Sequence, residues 1–180
     1  MTLFILIVVF VVSLFFVLGL QTSDKVSTEI EIDASSDDVW KTLTDFASYG
    51  EWNPFITRVA GELKEGETVD VSIALPFSKS LDFNLTILQI DTGYELVWKG
   101  ETLGSRVLDG IHYFRIEDLG AGKVRFSQGE KFTGLLLYIV TPFIKGSVEN
   151  NFNKMNLALK NRAEGVIKID DASQLQSGSV

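Results

Sequence analysis

Apolar and polar residues alternate through much of the chain between residues 26 and 132, and the pattern turns helical near residue 148. In "KVSTEIEID", Val26, Ile30 and Ile32 share one face with Thr28, while Ser27, Glu29 and Glu31 take the other. That spacing predicts a strand buried on one side. "ASSDDVW" then supplies a helix start, with Ser35 as N-cap, Asp38 three residues on and Asp37 near the positive helix end. Val39, Trp40 and Leu43 form the apolar stripe of that helix, which the pattern ends near Phe46. "DFASYGEWNPFI", residues 45–56, carries the chain through a second short turn. Pro54 disfavours helix at Asn53. Trp52 and Phe55 are then free to fold over an open sheet end, with Asn53 available to cap nearby backbone groups.

Strands follow. Val69, Val71, Ile73 and Leu75 alternate with Thr68, Asp70 and Ser72. Phe83, Leu85 and Ile87 share a side before the pattern blurs at Leu88 and Ile90, and Tyr94, Leu96 and Trp98 share another. "RVLDGIHYFRIED" and "GKVRFSQGEKFTG" read as two longer strands joined by the turn "LGAG". Val148, Phe152, Met155, Leu159 and Ala163 then recur on one helical face, and Gly165 stands where a C-cap glycine belongs. Strands this closely spaced, with no helices between them, predict an antiparallel meander. The expected fold is α+β: a curved antiparallel sheet of about seven strands wrapped on a long C-terminal helix. A sheet bent around a helix leaves a gap between them, and that gap is the natural ligand site.

The first residues follow no amphipathic period. "LFILIVVFVVSLFFVLGL", residues 3–20, is uncharged. Its length as helix is ~27 Å, close to the hydrocarbon thickness of a bilayer. A cleaved signal peptide is the other reading, but no basic residue precedes the run and "VLGLQTS" is a poor cleavage site. The pattern therefore predicts an uncleaved single-pass membrane anchor over residues 1–22, a folded domain over 23–167 and a disordered tail over 168–180. Lys25 after the run leans the domain toward the cytoplasmic side.

Charge narrows the function. The formal net charge is −8, with no basic cluster, which disfavours nucleic acid as a partner because phosphate binding relies on Lys and Arg. There is no cysteine and only one histidine, His112, so neither a thiolate site nor a histidine-rich metal site is available. No motif calls for a cofactor.

The two long strands can be registered. Keeping Phe114, Ile116, Val124 and Phe126 on one face sets Ile116 beside Phe126, Phe114 beside Gln128 and His112 beside Glu130. Gln128 and Glu130 then sit on an otherwise apolar inward face beside Phe132, where polar groups must find partners or water. His112 and Glu130 read either as an acid–base pair in an apolar cavity or as a paired anchor of the sheet. Trp52 and Trp98 read either as cavity wall or as core. No serine or threonine has a nucleophile setting, and Asp37–Asp38 is better explained as helix capping than as a carboxylate pair.

"VWKTLTDFASYGEWNPFI", "GIHYFRIEDLGAGKVRFSQGEKFTGLL" and "FNKMNLALKNRAE" together resemble the SRPBCC group, in its polyketide cyclase/dehydrase and lipid-transport-like branch. The likeness covers about residues 26–165. It implies the START-like helix-grip fold and a deep apolar cavity between sheet and closing helix. By resemblance the lining draws on Trp52, Phe55, Trp98, His112, Phe114, Glu130, Phe132 and Asn156. The expected function is a membrane-anchored binding domain for a small hydrophobic ligand, lipid-, isoprenoid- or polyketide-like. "GLLLYIV", residues 134–140, is expected just before the closing helix, as core or as a lipid-facing lip. The alternatives are a cyclase- or dehydratase-type enzyme using His112 and Glu130, and a stress-related or chaperone-like accessory protein.

Overall fold

The computed structural model describes residues 3–7, 9–10, 13, 23–75, 78–102, 108–134 and 137–165. The elements in chain order are β1 (Ser23–Ile32), α1 (Ser36–Thr44), a 3-10 turn (Phe46–Ser48) and α2 (Tyr49–Trp52). They continue as β2 (Ile56–Ala60), β3 (Thr68–Leu75), β4 (Ser78–Asp91), β5 (Glu95–Thr102), β6 (Leu108–Gly120), β7 (Lys123–Thr133) and α3 (Leu137–Ala163). Residues 3–7, 9–10 and 13 are helical, and the remainder of the apolar 3–20 run lies outside the described residues, as does the 168–180 tail. Among the described residues no helix is long and apolar enough to cross a membrane.

The seven strands form one antiparallel sheet in the order β1-β7-β6-β5-β4-β3-β2. The expected hairpin register is the one observed: Ile116 pairs with Phe126, Phe114 with Gln128 and His112 with Glu130. A one-residue slip would have turned Phe114, Ile116 and Phe126 to water, and all three are fully buried. The blurred pattern at Leu88 marks an irregularity. The β4–β5 register shifts between Ile87 and Gln89, which leaves Leu88 exposed and returns Ile90 to the core. Tyr94 departs from the expected face. It lies in the turn before β5, exposed, with the Arg115 guanidinium 5.9 Å from its ring centroid.

At the start of α1, Ser35 Oγ accepts from Asp38 N at 3.2 Å and donates to the Asp38 carboxylate at 2.6 Å, as the capping pattern predicts. The helix stops at Thr44 rather than near Phe46, because the 3-10 turn tightens the chain there. Helix α3 crosses β1 and β7 on the inner face of the sheet, with Phe152, Met155 and Leu159 fully buried. It begins at Leu137, so residues 137–140 belong to the helix and do not precede it. Its C-terminal end is tied to the β1–α1 corner. Glu164 Oε1 accepts from Asp33 N at 2.7 Å and from Lys160 Nζ at 2.6 Å. Burial pushes the Glu164 carboxyl up, but these bonds together outweigh it and hold the group below the usual carboxylate range. Gly165, at φ +68°, takes the left-handed conformation expected of a C-cap glycine.

Candidate functional site

Strand pairing lays the inward side chains out in rows across the sheet. One row reads Leu96, Phe114, Gln128 and Thr28; the next reads Ile87, Trp98, His112, Glu130 and Val26. A third reads Leu85, Gly100, Gly110 and Phe132.

The first row is closed. Phe114 and Gln128 are fully buried, and Asn156 of α3 reaches down to them. Gln128 Nε2 donates to Asn156 Oδ1 at 2.5 Å and to the Phe152 carbonyl at 3.3 Å, and Asn156 Nδ2 donates to Thr28 Oγ1 at 3.0 Å. These two predicted site residues therefore clamp helix to sheet. Gln128 Oε1 is left without a partner among the described residues.

The second row carries the polar chemistry. The His112 ring lies 4.4 Å from Phe114, 6.1 Å from Trp98 and 4.9 Å from Phe152, centroid to centroid. Its Nδ1 is 3.8 Å from Glu130 Oε2, an ion-pair distance if the ring is protonated and too long for a hydrogen bond. Its Nε2 is buried with no partner among the described residues. Glu130 keeps 24% of its side chain exposed, against 8% for His112, so the carboxylate faces the more open side.

In the third row two glycines face each other, Gly100 and Gly110. A Cβ at Gly110 would collide with Glu130 Oε1, and one at Gly100 would meet Leu85 Cδ2 at 2.8 Å. The missing side chain at Gly110 is thus what lets the Glu130 carboxylate lie across the sheet floor. Sequence reasoning missed this pair, since a strand glycine carries no pattern of its own. The signal was there: Gly110 stands two residues before His112, on the same face.

Cover is lost along the inner face in one direction. On β4, Ile87 is buried, Leu85 and Phe83 are partly buried, and Leu81 is 47% exposed. On β3, Val69 and Val71 are buried and Ile73 is partly open. The open end is where β3 and β5 finish, where β4 and β6 begin, and where Ser23 opposite Thr133 starts β1.

The 45–56 stretch supports this end. Asn53 Oδ1 accepts from Phe55 N at 3.0 Å and Ile56 N at 2.9 Å, closing the turn into β2. Phe55 packs on Phe152 at 5.9 Å, while the ring contact of Trp52 among the described residues is Tyr49, at 5.1 Å. Phe55 thus joins Trp98, His112, Phe114 and Phe152 in one aromatic group. Trp52 connects to it through Tyr49 and Phe46, whose rings are 5.8 Å apart, with Phe46 6.3 Å from Trp98. Phe132 is buried in the glycine row, and burial pushes the Tyr49 hydroxyl up in pKa.

A curled antiparallel sheet gripping a long C-terminal helix, with an aromatic inner face open at one end, is the architecture of START-like proteins. The chain belongs to the polyketide cyclase/dehydrase and lipid transport family, whose model matches residues 23–164. No curated relative matches it. Among solved structures it is similar to norcoclaurine synthase from Thalictrum flavum, in complex with dopamine and hydroxybenzaldehyde. That match has 13% identity and a TM-score of 0.63, covering 81% of this chain and 89% of that one. A Streptomyces aromatase/cyclase matches at 16% identity with TM-score 0.66, over 79% of this chain and 94% of that one. A START superfamily protein from Mycobacterium smegmatis matches at 18% identity with TM-score 0.64, over 79% and 99%. At these identities the likeness establishes the fold.

Proposed function

We propose that the protein is a binding domain for a small hydrophobic ligand, lipid-, isoprenoid- or polyketide-like, held between the inner sheet face and α3. The observation that carries this reading is the loss of cover from Ile87 to Leu81, on an apolar face floored by Gly100 and Gly110. Glu130 and His112 supply the polar contacts there, so the ligand is an amphiphile with one polar group directed at that row. Residues 3–20 tether the domain to a membrane. The supports are their uncharged sequence and the exposure of Leu3 and Phe4, each at 71%. Lys25 leans the domain toward the cytoplasmic side.

The reading is tested with the neutral probe N-phenyl-1-naphthylamine, and by native mass spectrometry of the protein purified from lipid-rich cells. Gly100→Leu fills the floor in front of Leu85, a side chain that can yield. Probe affinity should fall at least about tenfold, roughly 1.4 kcal/mol, with the circular dichroism spectrum unchanged. A protein that carries no ligand mass and binds the probe no more weakly after this change would sink the proposal.

The placement of His112 Nδ1 beside Glu130 favours a second reading, acid–base catalysis of a cyclisation or dehydration. His112→Gln separates the two, because an enzyme loses turnover while retaining ligand. A carrier changes at most its affinity. Turnover that survives the substitution would remove His112 from any catalytic role.

A further inference from the structure

The direction of β1 fixes which end of the domain lies near the apolar 3–20 run. Leu20 and Ser23 are separated only by Gln21 and Thr22, so they can stand at most about 11 Å apart even when fully extended. Ser23 pairs with Thr133, and Thr133 with Asp109, at the same sheet end where Leu81 and Phe83 lose their cover. The opposite end of β7, at Lys123, is roughly 33 Å farther along the strand.

The two ends also differ in charge. The open end exposes Lys25, Lys131 and Lys145. Among the acids at this end, Asp24 is bridged to Lys145 at 2.9 Å, and Glu101 and Asp109 share Lys99 at 2.6 Å and 3.7 Å, while Asp82, exposed beside Leu81, accepts from Ser72 Oγ at 2.6 Å. The opposite end exposes Asp37, Glu62, Glu65, Glu67, Asp91 and Asp118, with Lys64, Lys123, Lys160 and Arg162 among its counter-charges. The first end is close to balanced and the second is acidic, so an anionic lipid surface repels the second end more than the first.

We propose that the open end of the inner face, marked by Leu81 and Phe83, docks on the lipid surface entered by the 3–20 run, so that ligand passes between bilayer and protein without crossing water. This rests on the tethered ligand-binding reading above and adds its orientation and its ligand source, the bilayer itself. A domain held by a two-residue link could in principle lie on its side or upright. The apolar opening and the charge difference select the upright pose. The ligand is then a membrane-resident amphiphile whose apolar part enters past Leu81 and whose polar group follows toward Glu130.

The chain has no cysteine, so single cysteines can be labelled cleanly. Leu81→Cys at the open end and Leu119→Cys at the other are both at exposed positions, 47% and 39%. The full chain, labelled with a fluorophore at either position, is reconstituted into phosphatidylcholine vesicles containing phosphatidylglycerol and a headgroup-nitroxide lipid. Quenching should be several-fold stronger at position 81 than at 119, in protein that floats with the vesicles. Equal or reversed quenching in floating protein overturns the orientation and leaves the tether standing. Protein that does not float overturns the tether, and the orientation with it, whereas the naphthylamine assay still reports on ligand binding.

Discussion

Replacing Phe152 by alanine should destabilise the domain by about 3–5 kcal/mol, a cost on the scale of emptying an aromatic site in a packed core. The residue is fully buried, and its ring meets His112 edge-on at 4.9 Å and Phe55 at 5.9 Å. It is the knob by which α3 engages both the long hairpin and the turn leading into β2. Domains of this size are stable by only about 5–15 kcal/mol, so the variant would forfeit a large fraction of the total. Urea unfolding followed by tryptophan fluorescence measures it, with Trp98 only 6.1 Å from the His112 ring that Phe152 contacts. A loss below about 1 kcal/mol would mean that the ring is not part of the load this core carries.

The second large effect is expected at the polar clamp beneath it. Asn156→Leu removes the acceptor for Gln128 Nε2 and the donor to Thr28, which should cost about 1–3 kcal/mol because a buried amide loses its main partner. Adding Gln128→Met removes the stranded amide as well. The double variant should therefore be more stable than the sum of the two single changes implies, by on the order of 1 kcal/mol. Strictly additive losses would show that the two side chains are not energetically coupled. The contrast between the two variants also bears on why a polar pair sits in an apolar core. The pair fixes the rotational setting of α3 against β1 and β7, which apolar packing alone specifies less sharply.

The sheet and much of the candidate site were legible in the chain because one face of each strand is buried. Val26, Ile30 and Ile32, or Phe114 and Ile116, each declare an inside, and pairing two such faces set His112 opposite Glu130 without further information. Legibility failed where a residue carries no face. Gly100 and Gly110 have no side chain to declare an inside, yet Gly110 leaves the space that the Glu130 carboxylate occupies and Gly100 the space beside Leu85. Tyr94 continued the alternation of Leu96 and Trp98 in sequence but sits in the turn, held by Arg115, so local pattern overshot the strand boundary. The first eleven residues of α3 were hidden for another reason: Pro142 and Gly146 weaken helix propensity, and the apolar run around them has no period to reveal an inner side. Trp52 and Phe55 were expected together, and they reach the aromatic group by different routes, Phe55 directly on Phe152 and Trp52 through Tyr49 and Phe46, because the Asn53 turn separates the faces on which they fall.

The pairing of β1 with β7 also sets the order of events during synthesis. Ile32 meets Val124 across about 90 residues of intervening chain. At roughly 5–20 residues per second, β1 would leave the ribosome about 5–20 s before its partner exists. The sheet can zip from β2 through β6 by neighbouring hairpins, but closure must wait for the last strand, and α3 seats on β1 only afterwards. The earliest strand to be made is thus the last to be satisfied, and its alternating Val26, Ile30 and Ile32 form the edge that a nascent chain has most reason to shield.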